Sequence, residues 1–258
     1  MMDSYNQPVL DLTPGWMNTA GFLGWYLPEK QPLAQPPVAF VTPPVSLHPR
    51  KPAANRVVLS YSGGVLLHSG LPNPGLDRVL QTYVPIWSRS QVPVWIHLLA
   101  DNPVDIHSMV LVCETVEAIR ACEVSIPFKA HPNDVKALIQ AAVGELPVVL
   151  QLPLDRVQEH WIPEVGEWGV RAISIGAPRG NMINTDGNMV NGRLYGHSLF
   201  PQALAGLSTL HDANLPVIIS GGVFSLTHLD FLLKAGAAAV QLDLVLWSSW
   251  LNSSPESV

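Results

Sequence analysis

Two adjacent glycines, Gly221 and Gly222, stand between a short apolar run and an amphipathic segment. The run, residues 217–219, is typical of a strand buried on both faces of a parallel sheet. Residues 225–236 carry leucines at helical spacing and end at a glycine, as a helix commonly does. A glycine turn between strand and helix directs backbone N–H groups toward an anion above the sheet. The simpler interpretation is a tight turn without a ligand.

Apolar runs recur along the whole chain, mostly with helical patterns between them. This alternation favours a single (β/α)8 TIM-type barrel over residues 1–258, with any site at the carboxyl ends of the strands. The eight predicted strands are residues 16–20, 38–42, 94–99, 122–126, 148–152, 172–175, 217–219 and 238–242. The predicted helices lie near residues 74–83, 106–116, 132–142, 155–168, 198–213 and 225–236.

Four segments depart from this alternation. Residues 1–55 are rich in proline, and residues 57–68 predict a small antiparallel hairpin around a Ser-Gly-Gly turn. Residues 176–196 form a polar stretch rich in glycine and asparagine, and we expect a loop there. Because the chain stops soon after the eighth strand, the final helix is expected to be short or missing.

The composition limits the function classes. A net charge of −6 without a basic cluster argues against nucleic acid as a partner. No apolar run reaches the roughly 18 residues of a membrane span, and the first residues lack the features of a signal peptide, so we expect a cytoplasmic protein. Charged residues make up 13% of the chain, against roughly 25% in typical domains. So few charges suggest that a protein partner covers part of the surface.

Neither the cysteines nor the histidines predict a metal site. Cys113 and Cys122 are expected to be buried thiols rather than a disulfide or a metal pair. The nine histidines are scattered, and no two have the spacing of metal ligands on one helix or strand. We therefore expect no metal.

Several blocks of the sequence together resemble one known family. Residues 62–80 read SGGVLLHSGLPNPGLDRVL, and residues 12–24 read LTPGWMNTAGFLG. These blocks, with residues 93–100, 123–126, 146–153 and 216–244, are similar in order to segments of the dihydroorotate dehydrogenase family. The resemblance covers nearly the whole chain. It implies a barrel that holds flavin mononucleotide (FMN) and oxidises dihydroorotate to orotate.

The resemblance places the family's catalytic base, a Cys or Ser, near Phe128 in the segment VSIPF. A general base contributes about 10²–10⁴-fold to a rate, and a phenyl ring accepts no proton. Ser125 is the fallback candidate, although no His or Lys lies near it in the sequence to activate it. We therefore expect no catalytic residue to remain at this position.

The positions that would bind the flavin have also changed. The family's two flavin-contacting lysines correspond to Thr42 and Gln151, and its phosphate-binding Gly-Thr pair corresponds to Asp243 and Leu244. A carboxylate about 5 Å from a phosphate costs roughly 3 kcal/mol per charge at an effective dielectric constant of 20. These changes argue against FMN binding. The remnant of the cofactor site is expected at Gly21, Gln151, Ser220, Gly221, Gly222 and Asp243.

Asp243 carries a further expectation. We expect its carboxylate to accept the N–H groups of the Gly221–Gly222 turn that a phosphate would otherwise accept, which would explain why the glycines persist. The family's orotate-binding asparagines correspond to Leu67 and to about Gly176. Neither of these residues offers an amide side chain.

Three functions are therefore open. The first is a non-catalytic dihydroorotate dehydrogenase-like protein that serves as a binding or scaffold subunit, with another protein subunit as partner. The second is an FMN-dependent oxidoreductase with an altered substrate. The third is a barrel that binds another small ligand in the emptied pocket. Members of one class of the family pair as dimers, so a homodimer is implied only by that analogy.

Overall fold

A barrel of parallel strands with a small antiparallel sheet beside it makes up the computed structural model, which describes residues 9–10, 12–99 and 101–247. The predicted fold class is confirmed. The start of the Pro-rich segment and the expected short or missing final helix, residues 248–258, lie outside the described residues. In chain order the strands are β1 (Trp16–Asn18), β2 (Phe40–Val41), β3 (Val45–Ser46), β4 (Val57–Tyr61), β5 (Gly64–His68), β6 (Val94–Leu99), β7 (Ile119–Ser125), β8 (Val148–Pro153), β9 (Val170–Gly176), β10 (Arg179–Ile183), β11 (Met189–Tyr195), β12 (Val217–Ser220) and β13 (Ala239–Leu242).

The barrel strands are neighbours in the order β1-β13-β12-β9-β8-β7-β6-β2, and β3 also pairs with β6. The contact between β1 and β2 relies on one side chain. The Asn18 amide donates to the Val41 carbonyl over 2.7 Å and accepts from the Val41 N–H over 2.9 Å. One backbone bond, from Val38 N–H to the Trp16 carbonyl, accompanies it. The Asn18 side chain thus supplies hydrogen bonds that a backbone ladder would supply elsewhere.

Two layers of side chains fill the barrel interior. Because side chains alternate along a strand, residues two apart point to the same side. The layer nearer the amino ends of the strands is apolar and contains Met17, Ala39, Val41, Trp95, Ala121, Val149, Ala172, Ile218 and Ala239. The next layer toward the carboxyl ends is polar and is called here the polar ring: His97, Glu123, Gln151, Ser174, Ser220 and Gln241, all buried.

Five described α-helices pack around the barrel. The last follows the Gly221–Gly222 turn, and the Ser225 hydroxyl caps it by accepting the His228 N–H over 3.2 Å. Gly236 follows its end with φ at +101°, a conformation that glycine adopts without steric cost. The helices are α1 (Leu76–Trp87), α2 (Pro103–Glu114), α3 (Pro132–Ala142), α4 (Phe200–Thr209) and α5 (Leu226–Lys234).

The helix predicted over residues 155–168 is wrong. Two 3₁₀ turns, Leu154–Arg156 and Ile162–Glu164, occupy this segment instead. Pro163 lacks an N–H and its ring would clash with a carbonyl one turn earlier, which disfavours a continuous helix. Burial of Trp161 and Trp168, whose rings stack 5.6 Å apart, holds the irregular segment on the barrel.

The loop predicted over residues 176–196 is also wrong, because most of it forms the hairpin β10–β11. This hairpin joins the predicted 57–68 hairpin in a four-stranded antiparallel sheet of order β10-β11-β5-β4. The turn contains Asp186-Gly187, with Gly187 at φ +79°. An Asp-Gly pair between two short runs is a strong hairpin signal. The two strands were not predicted from the sequence because they contain few apolar residues. Most of their side chains are not buried.

The described part of the Pro-rich segment packs on the barrel. The Trp16 indole N–H donates to the Gln35 carbonyl over 2.8 Å. The Trp87 indole N–H of α1 donates to the Trp25 carbonyl over 2.7 Å, and the Trp25 ring stacks on Tyr83 at 5.0 Å. This segment therefore belongs to the barrel's outer layer. Among the described residues, no helix is both long enough and apolar enough to span a membrane.

Candidate functional site

A chain of hydrogen bonds crosses the polar ring and ends at a serine. His97 Nδ1 lies 2.5 Å from Glu123 Oε2, and His97 Nε2 lies 2.7 Å from Ser125 Oγ. The Gln241 amide donates to the second Glu123 oxygen over 2.8 Å. Serine, histidine and carboxylate in this order are the arrangement that activates a serine hydroxyl in many enzymes.

Strand register brings these side chains together. His97 of β6 is the Cα partner of Glu123 of β7, and Leu99 is the partner of Ser125. The interior-facing positions of two adjacent strands therefore meet at the barrel axis. The Thr42 hydroxyl accepts the His97 backbone N–H over 3.1 Å and holds β6 at this height.

Glu123 accepts hydrogen bonds at the centre of this network. Full burial by itself would raise the pKa of Glu123, because it removes water from the carboxylate. The hydrogen bond of His97 and the charge of its ring when protonated, together with Ser174 and the Gln241 amide, outweigh this effect and hold the pKa below its ordinary value. The buried carboxylate is thus paired and hydrogen-bonded, as a buried charge requires.

Ser125, the fallback candidate, lies at the last position of β7. Its hydroxyl also lies 2.6 Å from Gln151 Oε1 of the neighbouring strand β8. The sequence offered no nearby basic residue, but His97 comes from 28 positions earlier in the chain. Sequence reasoning missed this histidine because neighbours across a parallel sheet are distant in sequence. The register of two predicted strands was the signal that could have found it.

A cavity of about 340 Å³ opens above Ser125 at the carboxyl end of the barrel. We call it the mouth cavity. Its lining carries three guanidinium groups against one carboxylate, that of Asp101, although the chain as a whole has a net charge of −6. The lining residues are Arg50, Leu71, Leu99, Asp101, Ser125, Ile126, Pro127, Phe128, Arg179 and Arg193.

The antiparallel sheet places two of these arginines directly opposite each other. Arg179 of β10 is the Cα partner of Arg193 of β11. Like charges opposite each other on a sheet are destabilising. Burial, and then the charge of Arg193, lowers the pKa of Arg179, whereas Asp155 opposes this change. The pairing is therefore unfavourable unless an anion lies between the guanidinium groups.

Arg50, the third arginine of the mouth cavity, is held in place by contacts with Asn73 and Gly70. Arg50 pairs through its backbone with Asn73, and its Nε donates to the Gly70 carbonyl over 2.9 Å. The Arg179 guanidinium lies 4.3 Å from the centre of the Phe128 ring. Phe128, where the resemblance puts the catalytic base, is half exposed and serves as a platform for this arginine.

The Gly221–Gly222 turn lies on the opposite side of the barrel mouth and is closely packed. Both glycines have positive φ, +109° and +74°. A Cβ on Gly222 would come within 2.2 Å of the Phe200 backbone nitrogen at the start of α4. Gly222 is therefore required by the close approach of this helix as well as by the turn. Ser220, before the turn, is buried in the polar ring.

Asp243 is buried at the end of β13, 2% exposed. Burial raises its pKa to about 7, and the backbone N–H of Leu244 only partly opposes the increase. Within the described part of the chain, its Oδ1 has no hydrogen-bond partner. The expectation that this carboxylate accepts the N–H groups of Gly221 and Gly222 is not supported, since the backbone N–H groups that reach it are those of Leu244 and of Asp243 itself.

The rings of Phe22, Tyr195 and Trp247 form an aromatic cluster near Asp243. The Phe22 ring lies 5.2 Å from Tyr195 and 4.8 Å from Trp247, and the Trp247 indole N–H donates to the Phe22 carbonyl over 2.7 Å. Burial and then the charge of Asp243 raise the pKa of Tyr195, although nearby arginines act against this. Leu67 packs against the same cluster.

The remaining predicted positions have structural roles. Gly21 has φ at +89° in the loop after β1, close to Pro44. Gly176 ends β9, and a Cβ there would approach the Gln151 amide nitrogen to 3.1 Å. Cys113 and Cys122 are buried without a disulfide. Among the described residues, no cluster of His, Cys, Asp or Glu has the arrangement of a metal site.

The fold and these positions define the class of protein: a (β/α)8 barrel with its candidate site at the carboxyl ends of the strands. A solved structure of dihydroorotate dehydrogenase from Eimeria tenella, in complex with ferulenol, has the same fold. It superimposes with a TM-score of 0.64 over 81% of this chain and 70% of that chain, at 12% identity. No family model matches the sequence.

Several curated proteins that are similar to this sequence are named dihydroorotate dehydrogenases. A provisionally named dihydroorotate dehydrogenase A (fumarate) of Pediococcus pentosaceus is 29% identical over 234 residues, which cover 79% of this chain and 75% of that protein. The catalytic subunit of dihydroorotate dehydrogenase B (NAD⁺) of Trichlorobacter lovleyi is 26% identical over 79% of this chain and 74% of its own length. The chain is thus similar in sequence and in barrel fold to the dihydroorotate dehydrogenases, which confirms the resemblance.

The residues present do not fit the family's flavin. A phosphate above the Gly221–Gly222 turn would meet the buried Asp243 carboxylate, whose Oδ1 already lacks a donor. The rings of Phe22 and Tyr195 are buried and pack together near Asp243. The resemblance places Thr42 and Gln151 at the family's lysine positions. Both are buried; Thr42 accepts a hydrogen bond from β6, and Gln151 accepts one from Ser125.

Proposed function

We propose that this protein is a dihydroorotate dehydrogenase-like barrel that has lost flavin-dependent oxidation and binds a small anionic ligand in the mouth cavity. The observation that carries the proposal is the set of Arg50, Arg179 and Arg193 around one cavity. Among the described residues, none of the three forms a salt bridge with a carboxylate. Guanidinium groups bind carboxylates and phosphates in a bidentate manner.

The residues on the side of the mouth near Asp243 support the proposed loss of oxidation. The misfit of Asp243 with FMN removes the electron acceptor on which the family's reaction depends. We therefore expect no orotate to form from dihydroorotate with fumarate, quinone or nicotinamide acceptors. Saturable orotate production by the purified protein would favour the alternative, an FMN-dependent oxidoreductase.

Isothermal titration calorimetry with orotate and with inorganic phosphate tests the binding site. We expect saturable binding of at least one anion, with an affinity that falls as salt is raised. The Arg179→Gln and Arg193→Gln proteins should bind about tenfold more weakly, the loss of one charge-assisted hydrogen bond. Arg120→Gln, an exposed arginine of β7, is the control and should bind as the unmodified protein does. No binding of either anion would refute the anion site.

A role as a subunit beside another protein, or as a homodimer, stays a prediction with one supporting feature. At the end of the hairpin β10–β11, Ile183 and Met189 are Cα partners and are 72% and 75% exposed. Exposed apolar side chains at a protruding tip are suited to a protein contact. Light scattering of the unmodified protein and of an Ile183→Ser, Met189→Ser double variant tests self-association. A smaller particle in the variant alone would support a homodimer through this tip.

A further inference from the structure

Ser125 lies where buried and accessible parts of the site meet. Below it, His97 and Glu123 are 1% and 0% exposed. Above it, the Ser125 side chain forms part of the wall of the mouth cavity together with Arg179 and Arg193. Of the three hydrogen-bonded side chains, only that of Ser125 lines this cavity. A bound ligand would therefore meet the serine hydroxyl with the histidine behind it.

Stability alone gives a weak account of this network. A buried ion pair is often no more stabilising than apolar residues of similar volume. The barrel layer immediately below is apolar and well packed, so an apolar layer was available at this height as well. Polar groups that depart from the simplest stable core are expected at functional sites.

The Ser125 proton has two acceptors. In one arrangement the hydroxyl donates to Gln151 Oε1, 2.6 Å away, and His97 Nε2 donates to Oγ. In the other arrangement His97 Nε2 carries no proton, and the hydroxyl donates to it over 2.7 Å. His97 Nδ1–H then points to the Glu123 carboxylate, which fixes the ring and stabilises the imidazolium that forms on proton transfer. The second arrangement is the reactive one.

We propose that Ser125 is an activated nucleophile that accepts an acyl group from an anionic thioester or aryl ester bound in the mouth cavity. The inference rests on the proposed anion site, because the arginines would hold the substrate's charge. The Oγ–carbonyl bond forms as the hydroxyl proton passes to His97 Nε2. The bond from the carbonyl carbon to the leaving sulfur or oxygen then breaks, and the thiolate or phenolate departs with the electron pair.

The burial of His97 selects the leaving group. In serine hydrolases the histidine later gives its proton to the leaving group. Here the ring lies beneath Ser125 and is 1% exposed, so it reaches Oγ but not a departing group in the cavity. Departure therefore requires a group that leaves as an anion, which a thiolate or phenolate does and a simple alkoxide does not. For the same reason, hydrolysis of the acylated serine should be slower than its formation.

Two p-nitrophenyl esters test the inference in the full-length protein. Mono-p-nitrophenyl succinate carries a carboxylate, and p-nitrophenyl acetate is neutral. We expect a burst of p-nitrophenolate equal to the protein concentration, faster with the succinate ester, and peptide mass mapping should locate the acyl group on Ser125. Ser125→Ala should abolish the burst. Ser69→Ala, a serine beside the mouth whose hydroxyl accepts the Leu71 N–H, should retain it.

His97→Gln should slow acylation by about 10²-fold or more, as expected for loss of a general base. Glu123→Gln, a positioning residue, should slow the limiting acylation rate while leaving the ester concentration at half-saturation unchanged. A purely structural role of Glu123 would not produce this separation. Thermal unfolding curves identify a variant that has failed to fold, and Ser125→Ala then remains decisive because it removes only one oxygen.

The outcomes separate this inference from the proposed function. Calorimetric anion binding without acylation of Ser125 would overturn the nucleophile and leave the anion site standing. Acylation of Ser125 at equal rates with both esters, unaffected by Arg193→Gln, would support the nucleophile and contradict the anion site. Acylation on other residues only, or equally in the Ser125→Ala protein, would refute the inference.

Discussion

The two sides of the barrel mouth differ in how their polar groups are satisfied. Across β6, β7 and β8, His97, Glu123 and Ser125 form a continuous chain of hydrogen bonds beneath an open cavity. Across β12 and β13, Asp243 is buried and keeps one oxygen without a partner among the described residues. The polar groups beneath the open cavity are thus paired with one another, whereas Asp243 is buried with an oxygen that lacks a partner.

This comparison also shows why the family resemblance and the site chemistry diverge. The glycine turn persists because α4 packs on Gly222, whether or not a phosphate is bound. Thr42 and Gln151, which the resemblance places at the family's lysine positions, accept hydrogen bonds from the His97 backbone and from Ser125. Fold can therefore survive while the function of a site changes.

The largest expected effect comes from breaking the hydrogen-bonded side. Glu123→Ala leaves His97 buried beside a cavity without its carboxylate. Removing one partner of a buried pair costs about 3–5 kcal/mol of unfolding free energy. Glu159→Ala removes the partly exposed pair with Arg156 and should cost at most about 1 kcal/mol. Urea unfolding measures both, and equal losses would mean that the buried network contributes no more than a surface pair.

A smaller effect is expected at Asp243, whose carboxyl group should make the fold less stable as the pH rises. The pKa of Asp243 rises from 3.8 to about 7 on burial. A carboxyl group that holds its proton more tightly when folded stabilises the fold fully below its unfolded pKa. That contribution is lost as the pH rises through the folded value. Relative to Asp243→Asn, the unmodified protein should lose on the order of 3 kcal/mol between about pH 4 and pH 7 and change little above it.

Urea unfolding of both proteins at a series of pH values measures this difference. Asp230→Asn, an exposed position on α5, is the control and should follow the unmodified protein at every pH. Parallel stability curves for the unmodified and Asp243→Asn proteins would contradict the burial of an unsatisfied carboxyl group.

The smallest effect concerns the arginines opposite each other. Arg193→Gln removes the like-charge pairing with Arg179 and should leave the unfolding free energy unchanged or raise it by about 0.2–1 kcal/mol. The same change should weaken anion binding about tenfold. Loss of binding together with retained or increased stability would be the signature of a binding residue. A variant that loses both would indicate that Arg193 serves the fold instead.

The sequence predicted the barrel well because its strands are continuous apolar runs bounded by prolines and glycines. The run 94–99 is β6 as predicted, and 148–152 is β8 extended by one residue. Prediction failed where structure depends on partners distant in sequence. The Asp186-Gly187 turn of the hairpin β10–β11 is a local signal, but the strands are polar and their pairing with β5 is not visible in any local pattern.

The candidate site was predicted only in part, for the same physical reason. The glycine turn and Ser125 are local signals, and the sequence named both, Ser125 only as a fallback. His97 lies in a strand that appeared wholly structural, and Arg50 and Arg193 meet across more than half the chain. Such convergence follows from strand register and from the placement of the small sheet. Neither is determined by composition or by short motifs.

We expect the side of the mouth near Asp243 to exclude a flavin and the side lined by the arginines to bind an anion. FMN titrated into the purified protein, with flavin fluorescence as the readout, tests it most directly. Calorimetric binding of orotate or phosphate to the same sample serves as the control for an intact site. We predict no flavin absorbance in the fresh protein and unchanged FMN fluorescence alongside saturable anion binding. Stoichiometric flavin in the fresh protein, or tight binding of added FMN, would contradict the account.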